Sequence, residues 1–94
     1  VTYGAWQARW ANWVVHLEAN EGGWDVKVWL WLPGKPATAR RELAVASKMA
    51  SHEEAVKWAC QAMRDDGATV MVLDAPSITL ESMLQFAPAP RAVA

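Results

Sequence analysis

Trp29 and Trp31 stand two residues apart, so in any extended segment both rings project to one side. Rigid aromatic side chains with one polar edge make platforms for bases, sugar rings or organic cations. Lys27 shares that side, and Lys35, Arg40 and Arg41 follow closely enough to run along a phosphate backbone. If the preceding segment folds back as a hairpin, Asn12, Val14 and His16 join the same face. Candidate binding residues are therefore Trp29, Trp31, Lys27, His16, Val14, Asn12, Arg40 and Arg41, and the chemistry they suit is recognition.

Bond-making chemistry has less support. His16 and His52 are the only histidines, and neither they nor Glu53 and Glu54 show a recognised metal-ligand spacing. His52 falls in the first turn of a predicted helix. Cys60 lies on the apolar stripe of the same helix, where a small buried thiol is expected rather than a nucleophile. Gly22 and Gly23 read as a hairpin turn and not as a phosphate-binding loop. No enzyme activity, metal or cofactor is expected.

The elements that must position these residues can be read from period and punctuation. Ser51 followed by Glu54 has the spacing of a capping box, in which the Glu54 carboxylate returns to the amide of Ser51. Asp65, Asp66 and Gly67 end the helix that starts there. Ala55, Val56, Trp58, Ala59, Ala62 and Met63 form its apolar stripe. Trp24 to Leu32 alternates, with Trp24, Val26, Val28, Leu30 and Leu32 on one side and Asp25, Lys27, Trp29 and Trp31 on the other. Glu42 to Ser47 alternates more weakly, with Leu43 and Val45 on one side, and Ala68 to Leu73 reads as an interior strand.

Two periods compete between Tyr3 and Ala19. Trp6, Trp10, Trp13, Val14 and Leu17 fit a helical stripe, supported by good helix formers at Ala5, Gln7, Ala8, Arg9 and Ala11. Trp13, Val15 and Leu17 instead fit a strand, with Asn20 to Gly23 as a four-residue hairpin loop. Pairing Ala19 with Trp24 places Leu17 against Val26, Val15 against Val28 and Trp13 against Leu30, so every aliphatic partner lands on one face. Only Glu18 against Asp25 is unfavourable. The hairpin is the preferred reading for Asn12 to Leu32, and the segment before it stays open.

The runs Trp13-Val14-Val15-His16, Glu21-Gly22-Gly23-Trp24-Asp25-Val26-Lys27, Ser51-His52-Glu53-Glu54-Ala55-Val56 and Gly67-Ala68-Thr69-Val70 together resemble a family of small bacterial domains of unknown function. Those domains have a Gly-Gly-Trp hairpin followed by a helix and a last strand. The resemblance spans residues 13–73 and implies a fold without an activity. The extra tryptophans and the segment before Asn12 depart from the pattern.

The expected architecture is α+β: a mostly antiparallel sheet of three to four strands with one main helix on one face, in the order β-β-β-α-β, and room for an extra N- or C-terminal helix. With 94 residues the chain can build one core, set here at residues 1–86, with 87–94 as a disordered Pro/Ala tail. Leu80 to Phe86 would dock as a short helix or extended segment begun by Asp74, Pro76 or Ser77. No apolar run approaches the roughly 18 residues of a membrane span. With a lone cysteine and no signal-like start, a cytoplasmic protein is expected.

The net charge of −1 hides a segregation. Residues 27–48 carry Lys27, Lys35, Arg40, Arg41 and Lys48 against Glu42, and the following stretch is acidic. Scattered solvated charge is one reading and a binding stripe the other.

Trp13, Trp24 and Trp58 are expected in the core. Trp29 and Trp31 face away from the one assigned helix, and three covers would serve them. Trp6 and Trp10, or the Leu80 to Phe86 segment, could fold across; a second copy could bury the face in a homodimer; or a ligand could sit there. The resulting expectation is a small non-catalytic binding or assembly module that self-associates through its Trp-rich face. The alternatives are single-stranded nucleic acid, held by Trp29, Trp31 and the basic segment, and a small organic ligand in an aromatic pocket.

Overall fold

Period-two alternation governs the first third of the chain, and it begins earlier than the sequence suggested. In the computed structural model, which describes residues 3–36, 39–70 and 78–89, the first element is a strand, β1 (Gly4–Trp10), followed by β2 (Trp13–Asn20) and β3 (Gly23–Trp31). Trp6 lies opposite Leu17, Ala8 opposite Val15 and Trp10 opposite Trp13. The helical reading of Trp6 and Trp10 fails because a helix there would leave the backbone groups along the outer edge of β2 without partners.

The central hairpin has the expected register, with Leu17 opposite Val26, Val15 opposite Val28 and Trp13 opposite Leu30. Its loop is tighter than expected, because Asn20 pairs with Gly23 and only Glu21 and Gly22 turn the corner. Glu18 does sit opposite Asp25. The Asp25 carboxylate is occupied, accepting from Asn20 Nδ2 (2.7 Å) and from the Lys48 amide (3.4 Å), which offsets the like-charge contact.

Strand β4 (Arg40–Met49) pairs with β3 through two register shifts. At one of them Val28 faces Ala44 and Trp29 faces Glu42, so Leu43 is the extra residue of a bulge. The bulge reverses the phase of the strand. Leu43 and Ala44 both pack on the core, whereas Val45 turns to the other side and is 55% exposed. Leu43 and Val45 therefore do not share a face, contrary to simple alternation.

Helix α1 (His52–Asp65) lies across β2, β3 and β4. Ser51 Oγ accepts from the Glu54 amide at 3.1 Å, as the capping pattern predicts, but the Glu54 carboxylate returns to the amide of Ala50 (2.9 Å) rather than that of Ser51. Gly67 (φ +100°) ends the helix. Ala55, Ala59, Cys60 and Met63 meet Val15, Leu17, Val26 and Val28 in the core, with Trp13, Trp24 and Trp58 packed around them.

After the helix, Ala68 to Val70 do not form the expected strand, and residues 71–73 lie outside the described residues, as do Asp74, Pro76 and Ser77. A short helix α2 (Leu80–Met83) starts instead at Thr79, whose side chain and that of Ser82 cap each other's amides. It puts Leu80 and Leu84 into the core. Ala87 and Pro88, expected in a disordered tail, form β5 against Gln7 and Trp6, and the Ala89 amide donates to the Ala5 carbonyl at 3.0 Å. A proline is acceptable there because the strand is at an edge.

The result is an α+β fold on a five-stranded antiparallel sheet, order β4-β3-β2-β1-β5, one strand more than the upper end of the expectation. No helix among the described residues is long and apolar enough to cross a membrane.

Candidate functional site

Because α1 lies on one side of the sheet and α2 packs against α1, the other side has no helix over it among the described residues. Alternation delivers to that side Gln7 and Arg9 from β1, Val14, His16 and Glu18 from β2, Asp25, Lys27, Trp29 and Trp31 from β3, and Arg40, Glu42 and Val45 from β4.

The two tryptophans are roofed by their own sheet. The Arg40 guanidinium lies 4.2 Å from the ring centre of Trp29, and the Arg9 guanidinium 4.4 Å from that of Trp31. Arg9 is held in place by a 2.8 Å hydrogen bond from its Nε to the Ala11 carbonyl. His16 adds a tilted ring 6.1 Å from Trp29. Trp29 is consequently only 8% exposed. Trp31 is half-buried, and its indole N–H is buried with no acceptor among the described residues.

Neither chain segment expected to cover these rings does so. Trp6 packs on Trp24 (5.6 Å), Trp24 on His52 (5.2 Å) and His52 on Phe86 (5.6 Å), a chain of aromatic contacts that belongs to the helix side. The cover is instead the two guanidinium groups, Arg9 anchored on the Ala11 carbonyl and Arg40 4.0 Å from the Glu42 carboxylate.

Of the predicted binding residues, Trp29, Trp31, Lys27, His16, Val14 and Arg40 share the open face. Asn12 sits in the β1–β2 turn, where its carbonyl accepts from the Trp31 amide at 2.8 Å. Arg41 is elsewhere. Opposite Leu30 it lies on the helix side, and its guanidinium binds the Asp66 carboxylate at 3.1 Å. The other Asp66 oxygen accepts from Trp13 Nε1 at 3.0 Å, so Arg41 ties β4 to the end of α1. Arg9, Gln7 and Glu18 were missed. Extending the alternation of β2 back across the Ala11-Asn12 turn would have found Arg9 and Gln7, while Glu18 was already paired in the hairpin.

His16 is the titratable centre of this face. Gln7 Nε2 donates to its Nδ1 at 3.0 Å, which leaves the ring proton on Nε2. Burial lowers its pKa below the ordinary 6.5; Lys27 and Arg40 act in the same direction and Glu18 opposes them. The neutral ring is therefore the folded form at pH 7. As pH falls below about 6.5 the unfolded chain takes up this proton first, so stability drops with acidification. Unfolding free energies measured from about pH 7.5 to about pH 5 should fall, with a slope that His16→Gln reduces. An unchanged slope in that variant would show that His16 does not carry it.

A hollow of about 380 Å³ opens beside His16, where Ala5 provides a small floor between Glu18 and β5, and Pro88 forms part of the rim. His16, which lines it, also stands 6.1 Å from the Trp29 ring.

Elsewhere, Cys60 is fully buried and its thiol is pushed up to about 12 by burial and by Glu81, so it stays protonated. Glu81 is held down to about 2 by Arg64, 2.7 Å away, an ion pair that fastens α2 to α1. His16 and His52 lie on opposite sides of the sheet and cannot share an ion. No family model, curated protein or solved structure matches this chain.

Proposed function

We propose that this chain is a small non-catalytic binding module whose contact surface is the open sheet face, and that its partner is single-stranded nucleic acid. The reading rests on one observation, the paired guanidinium–indole stacks of Arg40 on Trp29 and Arg9 on Trp31. A guanidinium over an indole can still turn N–H groups toward a phosphate, Arg40 by exchanging its 4.0 Å contact with Glu42 and Arg9 with its Nε kept on the Ala11 carbonyl, and the ring beneath can accept a base once the arginine swings outward. Lys27 adds a third cation on the same side.

The overall charge of −1 weighs less against this reading once the charges are placed. Glu53, Glu54, Asp65 and Asp66 belong to α1 or its end, on the far side of the sheet. Glu18, Asp25 and Glu42 remain on the open face, with Glu42 4.0 Å from the Arg40 guanidinium, so they equal its three cations in number, restrict phosphate contacts to the neighbourhood of those cations and imply modest affinity.

The expected result is quantitative. Three phosphate contacts at about 0.7 counterions each give a log–log salt slope near −2, so affinity should fall roughly 20-fold between about 50 and about 200 mM salt. Arg9→Ala with Arg40→Ala should weaken binding and flatten that slope, as read by fluorescence anisotropy of a labelled single strand. Absence of binding at low salt would remove the proposal. A concentration-dependent dimer in its place would favour self-association, the reading that the uncovered face and its exposed Val45 also serve.

A further inference from the structure

The geometry points to a base-selective subsite in the hollow between Glu18, His16 and β5, shaped for the Watson–Crick edge of a guanine in the bound strand. This rests on the nucleic-acid reading above and gives it a sequence preference.

The hollow exists because Gly4, Ala5 and Ala89 are small between the larger Trp6, His16, Glu18 and Pro88. Ala5 pairs with Glu18 on one side, and on the other its carbonyl accepts from the Ala89 amide of the segment that carries Pro88. The resulting space of about 380 Å³ falls within the range of about 300–1,000 Å³ typical of small-ligand sites.

Its polar groups are fixed in kind. Glu18 is exposed and makes no hydrogen bond or ion pair among the described residues, so its carboxylate presents acceptors only. His16 presents a donor, because Gln7 occupies Nδ1 and leaves the proton on Nε2. The two residues alternate on β2 and so stand about 7 Å apart on one face. A guanine edge offers two adjacent N–H donors, N1 and N2, beside the carbonyl oxygen O6. The donors match Glu18, and O6 matches the His16 N–H.

Other bases fit less well. Adenine and cytosine bring a ring-nitrogen lone pair toward the carboxylate, and thymine brings one N–H flanked by two carbonyl oxygens. Glu18, one of three carboxylates on a face with three cations, acquires a role in this arrangement although it weakens phosphate binding.

The experiment compares a short all-thymine strand with the same strand carrying one central guanine. Wild type should bind the guanine strand about tenfold tighter, the worth of one good bidentate contact. Glu18→Ala should equalise the two while slightly raising affinity for the all-thymine strand, since a negative charge has gone; that gain would show that the variant is folded. Ala5→Leu, which fills the floor, should also remove the preference and leave thymine binding intact. Equal wild-type affinities for the two strands, or a preference that survives Glu18→Ala, would overturn the subsite while leaving strand binding standing. Failure to bind either strand would overturn both readings.

Discussion

Replacing Trp29 with alanine is expected to destabilise the fold by about 3–5 kcal/mol, although the residue lies on the open face of the sheet. The ring is 8% exposed, lies opposite Val14 and Glu42 in the sheet, and has the Arg40 guanidinium across it. Truncation removes a large apolar burial and the cation–π contact together, and strands the Arg40 stem over a gap. Trp31→Ala should cost less, because Trp31 is only half-buried and its deletion also removes a buried indole N–H that lacks an acceptor. Urea titrations of the two single variants measure the difference. A Trp29→Ala protein that loses less than about 1 kcal/mol and changes its solution mass would show that the ring serves a partner and not the subunit. The same argument makes arginine variants, rather than tryptophan variants, the better probes of binding, since shortening Arg9 or Arg40 uncovers an indole but leaves the ring in place.

Gly23→Ala should cost at least about 2 kcal/mol and lower the thermal midpoint by roughly 10–15 °C. A Cβ at this position would stand 2.6 Å from the Met49 carbonyl oxygen, and the backbone φ of +124° is one that side chains rarely adopt. The contact is with backbone across the β3–β4 pair, so no rotamer change relieves it. The strain would fall next to the bulge at which Lys48, itself at φ 60°, donates its amide to Asp25. Gly22→Ala is the control. Its new Cβ would meet Asn20 Oδ1 at 3.5 Å, ordinary contact, at a φ outside the positive region. Similar midpoints for the two variants would show that the close approach of β4 at Gly23 does not hold in solution.

Features set by neighbouring residues were legible in the sequence. The start of α1 at Ser51 and its stop at Gly67 depend on groups within a few positions of one another, as does the β2–β3 register, which follows from matching two alternating runs across a short loop. Trp29, Trp31, Lys27, His16 and Val14 could be placed on one face for that reason alone. The β1–β2 turn was hidden because the residue it puts at positive φ is Ala11 (52°), where glycine usually stands in such a turn, and Asn12 after it is too weak a signal alone.

Tertiary structure decided what depends on distant partners. The bulge at Leu43 reverses the phase of β4, so that Val45 faces away from the core, and Asp66 draws Arg41 to the helix side while Arg40 stays on the other. Only with β1 placed in the sheet does Arg9 come over Trp31, and only with β5 beside it does Ala5 become the floor of a hollow. Helix caps and strand alternation are short-range consequences of backbone geometry and appear in a linear reading. Strand phase and the covering of a sheet face depend on which remote segment supplies a hydrogen bond or a stacked cation, and those assignments are made when the chain folds.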